Sequence, residues 1–391
     1  MRIAINTLAV TSERGGILTY LVELMGSLAR IDADDDFLLV VGGLNRRLFE
    51  PLAGQGRVQL EEVWFPHDWR SLRVLQEQAA IPKIVSRWGA DVLLCPVGAA
   101  SLRSACPQVV VMHDALWQVV LDHLPFVRRQ YLQWIVPRSL RKANRVITVS
   151  RTACCHLVER GLLDPEKADV VPLGVNRLSM FERPAPEGLF ERVGSGYYLF
   201  VGDLYTYKGV HRIFDAMALL QRNFGLDRDL VVVGRDPWGH RSHLEARVRE
   251  LGMENRVHFL GGVDHGCLGW IYERAFCLIH PSEVEANPMP VLEAMSCGTP
   301  VVASNRTAMP EVTGDAGIIV GIESVGEMIW ALRRLEEPSV RARFMELGRA
   351  RAAQFTWDDV AARTLRILRH AAGVAPAQPA RTVARRVGAE T

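Results

Sequence analysis

The sequence predicts an α/β protein made of two Rossmann-like, doubly wound parallel-sheet domains. The chain has 391 residues, which exceeds one average domain and suits two of roughly 180 residues each. Short β-rich runs alternate with helical stretches along most of the chain, as right-handed parallel crossovers require. A Pro- and Gly-rich stretch of weak periodicity, residues 177–196, interrupts this alternation and is typical of an interdomain linker.

The element and domain boundaries follow from the same changes in composition and periodicity. The domain prediction is a first domain at 1–176, the linker at 177–196, a second domain at 197–356, an amphipathic helix at 357–371 and a disordered tail at 372–391. Strands are predicted at 2–10, 37–41, 91–95, 108–112, 145–149 and 169–171 in the first domain, and at 197–202, 230–233, 257–260, 276–280 and 301–303 in the second.

The composition is that of an ordinary globular protein with a substantial core, since 49% of residues are hydrophobic and 23% are charged. A net charge of +2 gives no general case for nucleic-acid binding, and no nucleic-acid motif occurs. We expect no signal peptide and no membrane-spanning helix, because Met-Arg leads directly into a strand pattern and the apolar runs are short. Seven cysteines without a C-x-x-C pair favour reduced thiols in the cytoplasm over a disulfide framework or a zinc site.

The stretch 275–304 holds the main candidate site. It predicts one strand-loop-helix-strand unit, in which Pro290 opens the helix and Gly298 ends it. Glu285 then lies at the carboxyl end of a strand, and Glu293 lies inside the next helix. Ligands of open parallel sheets bind at that edge, where a helix N-terminus attracts anions. The alternative is that both glutamates are solvated surface residues.

The whole string resembles the donor-binding motif of retaining glycosyltransferases of the family 4 type. The residues that match this motif position by position are Glu285, Pro290, Val291, Leu292, Glu293, Ala294, Met295, Gly298, Thr299, Pro300 and Val301. The resemblance implies the GT-B fold, in which two facing Rossmann-like domains enclose a cleft. It also implies that the helix at 357–371 crosses back to the first domain.

Two motifs of the first domain fit the same family. Gly15 and Gly16 follow the first strand, where a Gly-Gly turn allows a close approach by an anion, although a plain tight turn would look the same. His113 and Asp114 follow the strand at 108–112, and a lone His is more often structural than catalytic. The resemblance implies that the two glycines face the donor phosphates and that His113 lines the donor sugar. Asp114 either orients the His113 imidazole or caps the next helix, and its position directly after the strand favours the cap.

In the second domain, Gly202 and Lys208 match the family's Gly-Arg-Leu-x-x-x-Lys-Gly motif, whose Arg and Lys hold the donor diphosphate. Asp203 stands where the Arg is usual. Either Lys208 with helix dipoles suffices, or Arg235 or Arg306 supplies the missing cation. An acid beside a diphosphate would weaken binding, so we expect Asp203 to point away from it.

Two stretches of the first domain, 64–88 and 117–145, combine basic residues with aromatic ones. Such a surface could contact an anionic membrane or a lipid diphosphate, because cations meet the head groups while rings enter the interface. The alternative is two ordinary amphipathic helices whose rings are core residues.

The resemblance implies retaining transfer of a hexose from a nucleotide sugar to a saccharide or lipid-linked saccharide. Glu285 would hold the sugar and stabilise positive charge, and the residues leave open whether it ever acts as a nucleophile. Glu293 would accept hydrogen bonds from the ribose. Pro288 lacks an N–H, so sugar contacts are assigned to its neighbours Asn287 and Met289. The N–H groups around Val291, with Leu292 beside it, are assigned to the donor diphosphate.

We expect no cofactor besides the nucleotide-sugar co-substrate and no divalent metal, because the donor motifs contain no Asp-x-Asp string. The lead donor is GDP-mannose, because the Asn287-Pro288-Met289 variant and the basic, aromatic first domain resemble enzymes of bacterial polysaccharide and lipopolysaccharide assembly. Two alternatives stay open: a non-transferring enzyme of the same architecture, such as a UDP-sugar epimerase, and an inactive sugar-nucleotide-binding protein.

Overall fold

The computed structural model describes residues 1–8, 10, 16–32, 34–43, 45–54, 57–64, 73–113, 126–184 and 188–374. These residues form two compact units. The first unit comprises Met1–Leu173 with the chain from Trp357 onward, and the second comprises Gly174–Thr356. Gly15 and Asp114 of the sequence analysis lie outside the described residues, as do residues 65–72 and 117–125 of the two basic, aromatic stretches and residues 375–391 of the predicted tail.

The described part of the first unit contains a parallel sheet of strand order β3-β2-β1-β4-β5-β6-β7. Its strands are β1 (Arg2–Asn6), β2 (Asp36–Gly42), β3 (Val58–Val63), β4 (Val92–Cys95), β5 (Gln108–Met112), β6 (Arg145–Thr148) and β7 (Ala168–Val170). The central strands are apolar runs that are buried on both faces, as expected of a sheet covered by helices on either side. Ile3 of β1 pairs with Phe37 on one side and Val92 on the other.

The described part of the first unit contains the α-helices Gly16–Ile31, Arg46–Phe49, Arg73–Trp88, Phe126–Lys142, Arg151–Glu159 and Trp357–Ala371. The last of these packs against Gly16–Ile31: the rings of Trp357 and Tyr20 lie 6.0 Å apart, and Arg30 pairs with Asp358 at 2.7 Å. The helix at the end of the described chain is therefore part of the first unit.

The second unit contains a parallel sheet of order β10-β9-β8-β11-β12-β13. Its strands are β8 (Tyr197–Val201), β9 (Leu230–Val233), β10 (Val257–Gly261), β11 (Ala275–His280), β12 (Val301–Ser304) and β13 (Ile318–Val320). Side chains of β8 alternate between two core clusters, with Tyr198 and Phe200 on one face and Leu199 and Val201 on the other. This period of two places a packed helical layer on each side of the sheet.

The α-helices of the second unit are Leu189–Val193, Val210–Phe224, Arg241–Glu250, Leu268–Arg274, Met289–Cys297, Met309–Thr313, Val325–Leu335 and Pro338–Ala352. The segment 177–196, predicted as a linker, belongs to this unit. It includes a 3-10 turn at Leu178–Phe181 and a short helix, and both Met180 and Leu189 are buried.

The order of the second sheet fixes where a ligand can bind. The chain runs outward from β8 to β9 and β10, then returns to the other side of β8 with β11. The connection after β8 leads towards one edge of the sheet, and the connection after β11 leads towards the other. The gap between the carboxyl ends of these two strands is therefore the topological switch point of a doubly wound sheet. Lys208 follows β8 and Glu285 follows β11.

The predicted fold class, two Rossmann-like domains with parallel sheets, is confirmed. Within the described part of the chain, no helix combines the length and the apolar character that crossing a membrane requires.

Candidate functional site

The carboxylate of Glu285 is the centre of the candidate site. Its Oε1 atom accepts hydrogen bonds from Lys208 Nζ at 2.5 Å and from His280 Nε2 at 2.8 Å. Its own backbone N–H donates to Thr307 Oγ1 at 2.9 Å. Only 11% of the Glu285 side chain is exposed, so this carboxylate is oriented by fixed protein groups more than by solvent.

Lys208 reaches Glu285 because two loops approach each other closely. Lys208 ends a 3-10 turn, Thr206–Lys208, and Gly209 then takes a left-handed conformation with φ of +71° before the helix Val210–Phe224. A Cβ atom on Gly209 would lie only 2.5 Å from the carbonyl oxygen of Pro281, so a side chain there would force the loops apart. The N–H of Glu283 also donates to the Tyr207 carbonyl at 2.8 Å.

His280 is a residue of this site that the sequence analysis missed. It is the last residue of β11, is fully buried, and stacks on Phe200 with ring centroids 5.8 Å apart. Because the Glu285 carboxylate only accepts, His280 Nε2 carries the proton of their hydrogen bond. The signal in the sequence is a His that ends an otherwise apolar strand, directly before the loop.

The charge of Glu285 follows from these neighbours. Burial by itself would raise the pKa of the Glu285 carboxyl, but the Lys208 ammonium and the His280 hydrogen bond outweigh it and lower the pKa to about 2. Glu285 is therefore an anion throughout the neutral range. The site presents a fixed negative charge and a fixed positive charge side by side at the end of the sheet.

Asp203, which replaces the Arg of the family motif, does not stand alone. Its two carboxylate oxygens accept from Arg235 Nε at 3.1 Å and from a terminal nitrogen of Arg235 at 2.7 Å. Gly202 and Gly234 make this pairing possible, because a Cβ on Gly234 would overlap the Gly202 carbonyl. The two candidate replacement cations are both paired, since Arg306 also bonds to Glu323 at 2.9 Å.

Glu293 lies in the helix Met289–Cys297, and 7% of the residue is exposed. The Tyr272 hydroxyl donates to its Oε2 atom at 2.8 Å, and His265 Nδ1 lies 4.0 Å from its Oε1 atom. The sequence analysis identified neither Tyr272 nor His265, because nothing in the local pattern joins them to position 293.

The backbone at the start of this helix is already in use. The Val291 N–H donates to the Pro288 carbonyl and the Met289 N–H donates to the Asn287 carbonyl, each at 3.0 Å. The side chains of Val291 and Leu292 are fully buried, so both residues belong to the core beneath the loop.

Two candidate residues of the first unit are described, His113 and Gly16, and each follows a strand of the first sheet. His113 follows β5, and its ring meets Tyr20 edge-on at 4.4 Å. Burial lowers the pKa of His113 to about 4, although a hydrogen bond to the Pro96 backbone opposes that shift, so the ring is neutral at pH 7. Gly16 is exposed and begins the helix that follows β1.

Within the second unit the structure thus brings Lys208 and Glu285 into direct contact and adds His280 and Thr307. Gly202 precedes Asp203, and a Cβ atom on Gly202 would lie 4.0 Å from the His280 ring. Among the described residues, no three His, Cys, Asp or Glu side chains converge in a way that could hold a metal ion.

We expect the Glu285→Gln substitution to lower stability at neutral pH, with an effect that disappears in acid. A carboxyl whose pKa is lowered on folding stabilises the folded protein at every pH above its ordinary pKa of 4.5. This contribution to the free energy of unfolding is lost as the pH falls towards 2. The shift from 4.5 to about 2 corresponds to about 3 kcal/mol. The difference between the melting temperatures of the two proteins should therefore be largest at pH 7 and clearly smaller at pH 3, and it should vanish only at about pH 2 and below.

The matched control is Glu283→Gln, in the same loop. The Glu283 side chain is 42% exposed and pairs with Arg212, so its loss should change the melting temperature little at any pH. A difference between wild type and Glu285→Gln that stays constant down to pH 3 would contradict the lowered pKa.

Two family models match successive parts of this chain. The model described as Glycosyltransferase Family 4 matches residues 14–177, and the one described as Glycosyl transferases group 1 matches residues 185–351. The two matches follow the division into two units.

Individual proteins agree with these models. O-antigen chain mannosyltransferase B of Escherichia coli is 28% identical over 263 residues, which cover 66% of this chain and 68% of that protein. O-antigen chain mannosyltransferase RfbU of Salmonella typhimurium is 25% identical over 284 residues, which cover 72% of this chain and 73% of that protein. Among solved structures, Anabaena HepE in complex with UDP and glucose matches with a TM-score of 0.72 at 20% identity, covering 95% of this chain and 100% of that chain.

The likeness to HepE establishes the fold, and the two family models with the sequence relatives establish the kind of protein. The chain belongs to the group 1 glycosyltransferases of the family 4 type, and it is a glycosyltransferase with the GT-B fold.

Proposed function

We propose that this protein transfers a hexose from a nucleotide sugar to a saccharide or lipid-linked saccharide, with retention at the anomeric carbon. The observation that carries the proposal is the buried cluster of Lys208, Glu285 and His280 at the switch point of the second sheet. The lead donor is GDP-mannose. Support for the sugar comes from the relatives, two of which are named as O-antigen chain mannosyltransferases.

Lys208 is proposed to bind the diphosphate of the donor. When the bond between the anomeric carbon and the phosphate oxygen breaks, negative charge develops on the leaving nucleoside diphosphate. A preformed cation stabilises that charge without having to reorganise. Lys208 is only 15% exposed, so its ammonium acts in surroundings of low polarity where electrostatic interactions are strong.

Glu285 is proposed to hold the hydroxyls of the donor sugar and to stabilise positive charge at its anomeric carbon. The carboxylate is ionised at neutral pH, and the hydrogen bond from His280, at the end of β11, fixes its orientation. When a diphosphate takes over Lys208, the hydrogen bond from His280 still holds Glu285. In the first unit, the neutral His113 ring is proposed to contact a distal hydroxyl of the sugar, and Gly15 and Gly16 to contact the phosphates.

The proposal needs neither a divalent metal nor a further cofactor, because Lys208 supplies positive charge at the leaving group. Arg235 cannot be counted as a second free cation, since Asp203 neutralises it. The bidentate pairing also turns the Asp203 carboxylate towards Arg235, as a site for an anionic diphosphate requires.

The helix Phe126–Lys142 is proposed to contact an anionic membrane surface, where a lipid-linked acceptor would lie. Phe126 and Val127 are 66% and 74% exposed, and Trp134 is 46% exposed. The helix carries five basic residues and no acidic one. Arg138 lies over the Trp134 ring at 4.8 Å, which places a cation and an exposed ring together, as an interface between water and lipid favours.

We expect Glu285→Ala to reduce transfer at least about a hundredfold, since it removes the charged group proposed to stabilise the transition state. Thermal-shift screening of GDP-, UDP- and dTDP-sugars first identifies the donor. Release of the nucleoside diphosphate is then measured with a panel of saccharide and lipid-linked acceptors.

Glu283→Ala serves as the control for the loop and should keep wild-type turnover. Near-normal turnover by Glu285→Ala would contradict the role of Glu285. Conversion of the nucleotide sugar to an isomer, without release of nucleotide, would identify an epimerase instead.

We expect the protein to sediment with vesicles that contain phosphatidylglycerol and to stay in solution with pure phosphatidylcholine vesicles. Added salt should weaken this binding, since about 1 kcal/mol per basic residue is electrostatic. The double substitution Phe126→Ser with Trp134→Ser should reduce binding to these vesicles roughly tenfold or more.

Trp330→Ser is the control, because Trp330 is 58% exposed on a helix of the second unit. Equal loss of binding in the control, or no wild-type binding, would contradict this surface.

A further inference from the structure

We propose that Tyr272 and His265 set the specificity of the donor site for a ribonucleotide, by shaping the Glu293 carboxylate into a receptor for two neighbouring hydroxyls. This inference rests on the proposed function and on the expectation, from the family resemblance, that Glu293 accepts hydrogen bonds from the ribose of the donor. Tyr272 is a positioning residue, whereas His265 contacts the ligand directly.

Tyr272 decides which oxygen of Glu293 is available. The tyrosine is fully buried in the helix Leu268–Arg274, and its hydroxyl donates to Oε2 of Glu293 at 2.8 Å. Burial raises the pKa of Tyr272 well above its ordinary value, and the adjoining Glu293 carboxylate raises it further, so the hydroxyl keeps its proton. Oε2 is thereby occupied, and the carboxylate cannot rotate without losing a buried hydrogen bond. Oε1 is the atom that faces His265.

The hydrogen bonds around His265 determine which of its nitrogens carries the proton. Ser179 Oγ donates its proton to the carbonyl oxygen of Asn176 at 2.9 Å. The same hydroxyl lies 3.3 Å from His265 Nε2, so in the neutral ring Nε2 must be the donor. Nδ1 is then a hydrogen-bond acceptor, and it points towards Glu293.

Two acceptors therefore face each other. Nδ1 of His265 and Oε1 of Glu293 are 4.0 Å apart, beyond hydrogen-bond distance. A ligand group that donates protons to both atoms would satisfy this arrangement. The vicinal 2′- and 3′-hydroxyls of a ribose fit that requirement, because each can donate to one acceptor.

A close packing contact holds this receptor together. Ser179 belongs to the turn Leu178–Phe181, and the Phe181 ring lies against Gly269, where even a Cβ atom would overlap it. Gly269 is on the same helix as Tyr272. The missing side chain thus lets one segment press against the helix and fix both Ser179 and Tyr272 relative to Glu293.

The test is isothermal titration calorimetry of the full chain with UDP and GDP and with their 2′-deoxy and 3′-deoxy counterparts. The wild-type protein should bind its ribonucleotide roughly ten- to a hundredfold more tightly than either deoxynucleotide, as expected for hydrogen bonds to a charged group. In Tyr272→Phe and in His265→Leu this ratio should fall to within about threefold of one, mainly because ribonucleotide binding weakens.

Two control variants remove similar groups nearby. Tyr197→Phe removes an equally buried hydroxyl of the same core, which donates to the Ile271 carbonyl at 2.7 Å. His258→Leu removes an imidazole that pairs with Asp229. Both controls should keep the wild-type ratio.

The possible outcomes separate the two proposals. If the wild type binds ribo- and deoxynucleotides equally, or if Tyr272→Phe weakens both by the same factor, the inference is wrong while the proposed function stands. An unchanged ratio in His265→Leu overturns the assignment of His265. If the wild-type protein binds none of these nucleotides and no sugar nucleotide in the thermal-shift screen, the proposed function fails, and this inference fails with it.

Discussion

The ion pair between Lys208 and Glu285 is the interaction on which the rest of the second unit depends. Both groups are almost enclosed, and isolated burial of either charge would be costly. Each compensates the other, and His280 satisfies the carboxylate from the sheet side. Lys208 comes from the turn after β8, His280 from the end of β11 and Glu285 from the loop after β11, so the cluster forms only when these two neighbouring strands are paired.

Small residues make this closeness possible. Gly209 lets the Lys208 turn lie against Pro281, and Gly234 lets the chain after β9 lie against Gly202. The second contact allows Asp203 to pair with Arg235. This pairing neutralises a carboxylate that would otherwise repel an anion at the proposed site. Gly209 and Gly234 thus occupy positions where two backbone segments are in contact and a side chain would not fit. The consequence for function is that Lys208 is preassembled, but it must exchange a carboxylate for a phosphate when the donor binds.

The sequence predicted the parts of this site that local signals define. The strand, turn, proline and glycine around Glu285 fix its place at a strand end, because these residues restrict the backbone directly. The match to a family string then assigned roles to Glu285, Glu293 and Lys208. The alternation of strand and helix patterns gave the two parallel sheets for the same reason, since each pattern depends on near neighbours.

Long-range partners were beyond the reach of the sequence. His280 looked like the end of an apolar strand, and nothing local linked Tyr272 to Glu293 across 21 residues or Asp203 to Arg235 across 32. The segment 177–196 has the composition of a linker, yet Met180 and Leu189 are buried in the second unit and Ser179 orients His265. These contacts depend on how distant elements pack, which composition does not encode.

Carboxyl NMR of Glu285, in the wild type and in Lys208→Met, tests the central interaction most directly. With ¹³C-labelled glutamate and Glu285→Gln to assign the resonance, the wild-type carboxyl should stay ionised until the pH approaches 2, its lowered pKa. In Lys208→Met the same carboxyl should titrate at a clearly higher pH, because burial then acts against the charge with only His280 to oppose it. Titration at the ordinary value of about 4.5 in both proteins would contradict the account.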